Sequence, residues 1–184
     1  MIYGIAKSRK MRKYFIYLLC IPFLLGSSCG KDDLGINRKM IGQLNGERWE
    51  ARGAFGFNLP FDIGVDLIFE VYNKSGELRE KLIVYKVPFE VGQYDILVTT
   101  NQIDEEVTGA VYRTFSDDGD VIDNTYRLHD PADNMVVVTK VDTVRNIVRG
   151  EVNATFLVDP HDAEDTDIDT IRIENGLFEI TLRD

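Results

Sequence analysis

The segment VRGEVNATFLV, residues 148–158, decides the fold. Polar side chains fill alternate positions from Arg149 to Thr155. The positions between and beyond them are small or apolar: Val148, Gly150, Val152, Ala154, Phe156 and Val158. Because successive side chains of a β-strand point to opposite faces, this period of two predicts a strand with one buried and one exposed face.

After an acidic loop, the alternation resumes at residue 168 and continues almost to the carboxyl end. Asn175-Gly176 lies between two alternating runs, residues 168–174 and 177–183, and both residue types tolerate a positive φ. The dipeptide therefore predicts a hairpin turn that joins two strands. In the second strand, inward residues are predicted to alternate with outward ones: Phe178, Ile180 and Leu182 against Glu179, Thr181 and Arg183.

The rest of the chain after residue 38 consists of short alternating segments. Asn45-Gly46 predicts a type I′ hairpin between strands 39–44 and 48–55. Residues 77–82 carry helical as well as strand spacing, so their state stays open. Further strands are predicted at 65–71, 83–87, 93–98, 107–115, 121–128 and 135–141, with turns at 73–76 and 116–120. The sequence thus predicts an all-β fold, an antiparallel β-sandwich or barrel of about ten strands.

The amino end has the sequence pattern of an export signal. A basic stretch, residues 7–13, precedes an apolar run from Tyr14 to Leu25, and Gly26, Ser27 and Ser28 follow it. The run is shorter than the roughly 20 residues that span a bilayer, which favours a cleaved secretory signal. The small residues before Cys29 resemble a bacterial lipobox, in which the cysteine is acylated after cleavage. An ordinary signal peptide with a chance cysteine is the alternative.

These features divide the chain into three predicted parts. Residues 1–28 form a lipoprotein signal peptide, residues 29–38 a lipidated tether, and residues 39–184 a single all-β domain. Two or three acyl chains on Cys29 would anchor the protein firmly, since one chain alone binds membranes marginally. Lys31-Asp32-Asp33 resembles the export tag of Bacteroidetes-type surface lipoproteins. The expected location is therefore the bacterial outer membrane, at the cell surface rather than the periplasmic face.

Charge and cysteine content restrict the partners. The chain from Cys29 on keeps all 31 acidic residues but 16 of the 21 lysines and arginines, so its formal net charge is −15 rather than −10. Such a charge disfavours nucleic acid and contact of a basic patch with membrane. Cys20 lies in the run that is predicted to be removed, and Cys29 is the predicted acylation site. The folded domain is thus expected to contain no disulfide and no cysteine nucleophile.

Four motifs occur in order behind the lipobox. They are Asn45–Ala51, Gly92–Ile96, Gly150–Phe156 and Asn175–Ile180. Together they resemble a family of uncharacterised Bacteroidetes lipoproteins that carry a single β-rich domain. The resemblance spans nearly all of the chain after the signal. It implies the fold and the lipid-anchored location, and it implies no catalytic residue.

The residue inventory predicts no enzyme. After Cys29 the serines are Ser75 and Ser116, both in predicted turns, and the histidines are His129 and His161. No Gly-x-Ser-x-Gly elbow, His-Glu-x-x-His pair or glycine-rich phosphate loop is present. A pair of carboxylates stays open as a glycosidase arrangement, but nothing in the sequence singles out two of the acids.

Two sets of candidate site residues remain. Asp165, Asp167 and Asp169 alternate as oxygen ligands of Ca²⁺ do, although the glycine and glutamate of an EF-hand are missing, and a solvated acidic loop is the alternative. Trp49 and Tyr94 are candidate ligand-binding aromatics, with core packing as the alternative. No other cofactor is indicated. The resulting hypothesis is a lipid-anchored binding module for a glycan, a peptide or a partner protein; a structural or assembly lipoprotein without a small-molecule site is the alternative.

Overall fold

Eleven strands make up most of the described residues in a computed structural model. The structure describes residues 38–58, 64–98, 107–129, 133–161 and 168–183, and these ranges contain no helix. The strands are β1 Lys39–Leu44, β2 Glu47–Ala51, β3 Gly53–Asn58, β4 Val65–Tyr72, β5 Leu78–Val87, β6 Gly92–Asp95, β7 Gly109–Phe115, β8 Ile122–Leu128, β9 Met135–Asp142, β10 Ile147–Val158 and β11 Thr170–Arg183. The predicted all-β fold of about ten strands is confirmed.

The two longest strands organise the sheet. β10 and β11 pair with each other along most of their length, and each divides its other edge between two partners. β10 pairs with β9 from Ile147 to Asn153 and with β8 from Phe156 to Val158. β11 pairs with β1 through residues 173–179 and with β3 through residues 181–183.

The pairings form a closed circuit of seven strands. The order runs β11-β3-β4-β5-β7-β8-β10 and returns to β11, while β1–β2 extends from β11 and β9–β6 extends from β10. The pairing of β3 with β11 is parallel, and the other pairings are antiparallel. This one parallel contact, which the sequence did not predict, closes the circuit.

The alternation that predicted the strands also describes the core. The small and apolar residues of β10 from Val148 to Phe156 are all buried, as are Phe178, Ile180 and Leu182 of β11. Aromatic rings pack at the centre: the ring centroids of Tyr112 and Tyr126 lie 5.9 Å apart, edge to face. Burial of a large apolar side chain contributes about 1.5–3 kcal/mol, so this inner face supplies most of the stabilisation.

The hairpin predicted at Asn175-Gly176 is wrong. β11 runs through the dipeptide without reversing, and the register changes there: Val152 pairs with Gly176, and Ala154 pairs with Ile173. One extra residue on β11 is accommodated as a β-bulge, with Asn175 in the left-handed region at φ 52°. A left-handed asparagine therefore serves a bulge here and not a turn.

Two further boundaries differ from the sequence prediction. The segment 77–82, left open between helix and strand, belongs to β5 from Leu78 onward. The predicted strand 48–55 is divided at Arg52, because β2 pairs with β1 whereas β3 pairs with β4 and β11. The Asn45-Gly46 hairpin between β1 and β2 is present, with both residues at positive φ.

The amino-terminal predictions fall outside the described residues. The proposed signal peptide, Cys29 and all of the tether except Arg38 belong to that part of the chain. Residues Gly35–Asp184 form one compact unit, which includes every strand given above. Within the ranges that the structure describes, no helix has the length and apolar character needed to cross a bilayer.

Candidate functional site

Trp49 lies in the core. Its side chain on β2 is 7 % exposed, and its indole Nε1 donates a hydrogen bond to Glu80 Oε2 at 2.6 Å. The faces of the ring are covered, so Trp49 presents no open surface on which a sugar could stack. Its polar edge instead anchors β2 to a carboxylate of β5.

Tyr94 lies on β6, the terminal strand at the other end of the sheet order from β2. Its ring is half-buried against the core, and its hydroxyl donates to the Glu90 carbonyl oxygen at 3.1 Å. Partial burial raises the pKa of Tyr94, and the neighbouring charge of Glu90 adds to that increase. The structure therefore places the two predicted aromatics on separate strands.

The predicted calcium ligands are described in part. Asp165 and Asp167 lie outside the described residues, whereas Asp169 is exposed and its backbone oxygen accepts a hydrogen bond from Val158 N at 2.9 Å. Among the residues that are described, no group of three or more His, Cys, Asp or Glu side chains is placed to hold a metal ion. The Ca²⁺ site thus stays a prediction.

A polar cluster interrupts the apolar inner face near the β4–β5 turn. Glu80 of β5 accepts from Trp49 and also from the Tyr112 hydroxyl of β7. Burial raises the pKa of Tyr112, and the charge and hydrogen bond of Glu80 raise it further. The phenol, which is protonated at neutral pH at its ordinary pKa of about 10, therefore stays a donor in more alkaline solution as well. Two aromatic donors on one carboxylate hold this end of the core in a defined arrangement.

Unsatisfied polar atoms concentrate on the β7–β8 hairpin. In the described part of the chain, the buried side-chain nitrogen and oxygen atoms without a hydrogen-bond partner are Arg113 Nε and Asn124 Oδ1. Arg113 pairs with Thr125 and Asn124 pairs with Thr114, so the two atoms lie at adjacent positions of the β7–β8 ladder. Buried polar groups are partnered in the great majority of cases, which makes this location distinctive.

The orientation of the Asn124 amide is fixed by its neighbours. Asn124 Nδ2 donates to Asp123 Oδ2 at 3.3 Å and lies 3.4 Å from Thr114 Oγ1. A reversed amide would place its oxygen against the Asp123 carboxylate, so the assigned orientation is the favourable one. Asn124, 5 % exposed, therefore keeps an acceptor without a donor on the inner side of the sheet.

A charged row crosses the outer face of the same strands. Glu70 of β4, Lys81 of β5, Arg113 of β7 and Thr125 of β8 are successive partners in register. Lys81 Nζ lies 2.8 Å from Glu70 Oε1, and Glu70 also accepts from the Tyr72 hydroxyl. Arg113 lies next to the Lys81–Glu70 ion pair and takes no part in it. We call Glu70, Lys81 and Arg113 the outer charged row.

Sequence reasoning missed Glu80, Arg113 and Asn124. Period two places Glu80 on the same face as Leu82 and Val84, but the helical spacing of residues 77–82 obscured that face. Asn124 lies on the same inward face as Tyr126 and Leu128, so its inward position could be predicted from the strand predicted at 121–128. Nothing in the sequence marks Arg113, because its lack of a partner depends on which strands become neighbours.

The comparisons with known proteins add no assignment. The chain matches no protein-family model, no curated protein and no solved structure. The site is therefore interpreted from its own geometry. Among the described residues, that geometry leaves one buried acceptor without a donor on the inner face, Asn124 Oδ1, and one buried donor without an acceptor on the outer face, Arg113 Nε.

Proposed function

We propose that this protein is a lipid-anchored component of the bacterial cell envelope whose β domain is a binding module without catalytic activity. The basic stretch, the apolar run and the small residues before Cys29 support the anchor. Lys31-Asp32-Asp33 supports the outer face of the outer membrane as its location. A glycan, a peptide or a partner protein is the proposed ligand.

One observation carries the binding function. The two buried side-chain atoms that lack a partner among the described residues, Arg113 Nε and Asn124 Oδ1, occur on one hairpin, on opposite faces of the sheet. An unsatisfied buried group costs about 1–3 kcal/mol, so a chain selected for stability alone would remove it by a single substitution. Departures from polar satisfaction are expected at functional sites, so this hairpin is the proposed place of binding.

A structural or assembly role is the second candidate, and the aromatics favour it. Four of the aromatic side chains that a sugar could use are buried: Trp49, Tyr85, Tyr112 and Tyr126. Tyr72 is 47 % exposed, but its hydroxyl is engaged by Glu70. A lectin-like stacking platform has therefore little support among the described residues, and the proposed module would recognise its ligand mainly through polar contacts.

The anchor is tested by expressing the full chain in a diderm bacterium that processes lipoproteins. Mass spectrometry should find an acylated Cys29 at the amino terminus, and the protein should enter the detergent phase on Triton X-114 partition. Cys29→Ser should abolish both results. Cys20→Ser, which alters the other cysteine of the chain, is the matched control and should change neither. An unmodified amino terminus would contradict the proposed anchor.

The binding function is tested by affinity electrophoresis in gels that contain neutral or acidic polysaccharides, and on a peptide array. Retardation or array binding that is lost in Asn124→Ala or Arg113→Gln supports the binding module. If no glycan or peptide is bound, and cross-linking in cells instead captures a fixed envelope partner, the structural role replaces it. Surface location is read from protease digestion of intact cells.

A further inference from the structure

Arg113 stands out among the partly buried arginines of the described chain. Arg79 lies 2.5 Å from Asp117, with its side chain 32 % exposed, and Arg149 pairs with Glu179, with its side chain 29 % exposed. Arg113 is also half-buried, but it forms no ion pair with any described residue, and its Nε is buried without an acceptor among them. The chain contains 31 acidic residues, so acids were available to pair with it.

The neighbour of Arg113 makes the lack of a partner more costly. Lys81 lies directly opposite on β5, at a position where Cβ atoms are about 4.5–5.5 Å apart, and like charges in such pairs destabilise a sheet. Glu70 neutralises Lys81 and also accepts from Tyr72. One carboxylate thus serves two donors, and the outer charged row retains one uncompensated positive charge at Arg113.

We propose that Arg113, with Lys81 beside it, binds the carboxylate group of a ligand on the outer face of β5 and β7. This deepens the proposed binding function and rests on it. A guanidinium presents N–H donors that match the two oxygens of a carboxylate, and because Arg113 Nε is buried, the two terminal Nη groups would make this contact. The bound carboxylate would compensate the charge that Glu70 does not.

The charge of the whole chain limits how many anionic groups the ligand carries. The net charge of −15 after Cys29 repels polyanions, although charges more than about 8–10 Å away are largely screened at physiological salt. A single carboxylate on an otherwise neutral frame is therefore favoured over a nucleic acid or a polyphosphate. An acidic sugar and an acidic peptide both carry this group, and the test separates the two sources.

The test follows the Nε–Hε signal of Arg113 by ¹H–¹⁵N NMR. The sample is the chain without its first 29 residues, which retains every described strand and the compact unit. Glucuronate, with glucose as its neutral counterpart, represents the sugar, and an N-acetyl-glutamyl peptide, with its glutaminyl counterpart, represents the peptide. Saturable shifts at about millimolar concentrations are expected for one or both carboxylate probes and not for the neutral ones.

Variants distinguish binding from folding. Arg113→Gln is expected to weaken carboxylate binding by about tenfold and Lys81→Gln by a smaller factor. Arg48→Gln, which alters an exposed arginine of β2, is the matched control and should bind as the unchanged chain does. Because Arg113 is unpaired, Arg113→Met should keep or raise the melting temperature while it abolishes binding, so a loss of binding does not report unfolding.

Two results would overturn the carboxylate site. One is an Arg113 signal that no carboxylate probe moves, and the other is an equal response to sodium chloride. The proposed binding function is tested separately from the carboxylate site. If the chain binds neutral polysaccharides in gels while its Arg113 signal does not shift, the binding module is supported and the carboxylate site is rejected. A chain that carries no lipid can still show the Arg113 shift.

Discussion

The chain contains two Asn-Gly dipeptides that the sequence treats alike and the fold treats differently. Asn45 and Asn175 have the same backbone angle, φ 52°. The first dipeptide reverses the chain between β1 and β2, whereas the second is a bulge inside β11. A positive φ at asparagine is thus common to both and does not decide whether the chain turns.

The glycine of each dipeptide makes the difference. Gly46 is also left-handed, at φ 82°, and a Cβ added to it would meet no atom within 4 Å. Gly176 lies outside the left-handed region. A Cβ added to Gly176 would overlap the Met40 methyl group and lie 2.9 Å from Val152 O. The first glycine is needed for its conformation, and the second is needed because β1 and β10 approach it closely.

The largest effect that separates the two dipeptides is expected from alanine at each glycine. Gly176→Ala should lower the free energy of unfolding by about 2–3 kcal/mol, because one contact is with backbone and cannot move freely. Gly46→Ala should cost about 1 kcal/mol, the penalty of a left-handed alanine in open space. Chemical denaturation of both variants measures the difference.

Gly42→Ala provides an independent check on close approach. Its Cβ would lie 2.8 Å from Gly176 Cα and 2.9 Å from Glu174 O, so it should destabilise the fold about as much as Gly176→Ala. If Gly46→Ala proved the most damaging of the three, conformation rather than packing would govern both dipeptides, and the distinction drawn between them would be lost.

The contrast between the two Asn-Gly dipeptides also shows which features of the fold could be predicted from the sequence. Alternation in Val148–Phe156 predicted the buried face of β10 correctly, because burial of apolar area depends on period and hardly on the identity of the partner strand. The role of Asn175-Gly176 depends on Met40 and Val152, which are distant in sequence. Likewise, the parallel pairing of β3 with β11 has no local signature, so closure of the circuit was not predictable.

The candidate site was less predictable for the same reason. Trp49 and Tyr94 were chosen by residue type, but whether an aromatic ring is open depends on what covers it, and Trp49 is covered. The importance of Arg113 lies in a partner that it lacks, which residue type and spacing do not encode. Cys29 differs, because processing enzymes recognise a linear motif, and its acylation stays a prediction from sequence.

Substitution of each asparagine by glycine should give the next largest difference in the free energy of unfolding. Asn45 Nδ2 donates to Thr170 O at 3.1 Å, and Asn45 Oδ1 accepts from Arg172 N at 2.8 Å. Asn45→Gly keeps the left-handed angle and removes both bonds, which should cost about 1 kcal/mol. Asn175→Gly should cost a few tenths, mainly through greater freedom of the unfolded chain. Equal losses in thermal unfolding would show that the side-chain bonds of Asn45 do not stabilise the hairpin.

The bulge has its own anchor on β10. Asn153 Oδ1 accepts a hydrogen bond from the backbone N–H of Asn175 at 2.8 Å and so satisfies a donor near the register shift. Asn153→Ala should destabilise the fold by about 1 kcal/mol, and amide hydrogen exchange should accelerate at Asn175 more than at Asn45. Unchanged exchange at Asn175 would mean that water replaces the side chain without loss.

β10 and β11 are antiparallel neighbours, and the described start of the segment that connects them contains a buried carboxylate. Asp159, buried at the end of β10, accepts from Arg127 Nε and from His161 N, and these bonds lower the pKa of its carboxyl group. A lowered pKa stabilises the fold above the unfolded pKa of about 3.9, and that stabilisation is lost as pH falls through the folded pKa.

Asp159→Asn should thus be less stable than the unchanged chain at pH 7, by at most about 1 kcal/mol because Arg127 is largely exposed. The stabilities of the variant and of the unchanged chain should converge below about pH 4. Asp117→Asn at an exposed pair serves as the control, and a constant gap between the Asp159→Asn variant and the unchanged chain from pH 7 to pH 2 would assign the effect to packing rather than charge.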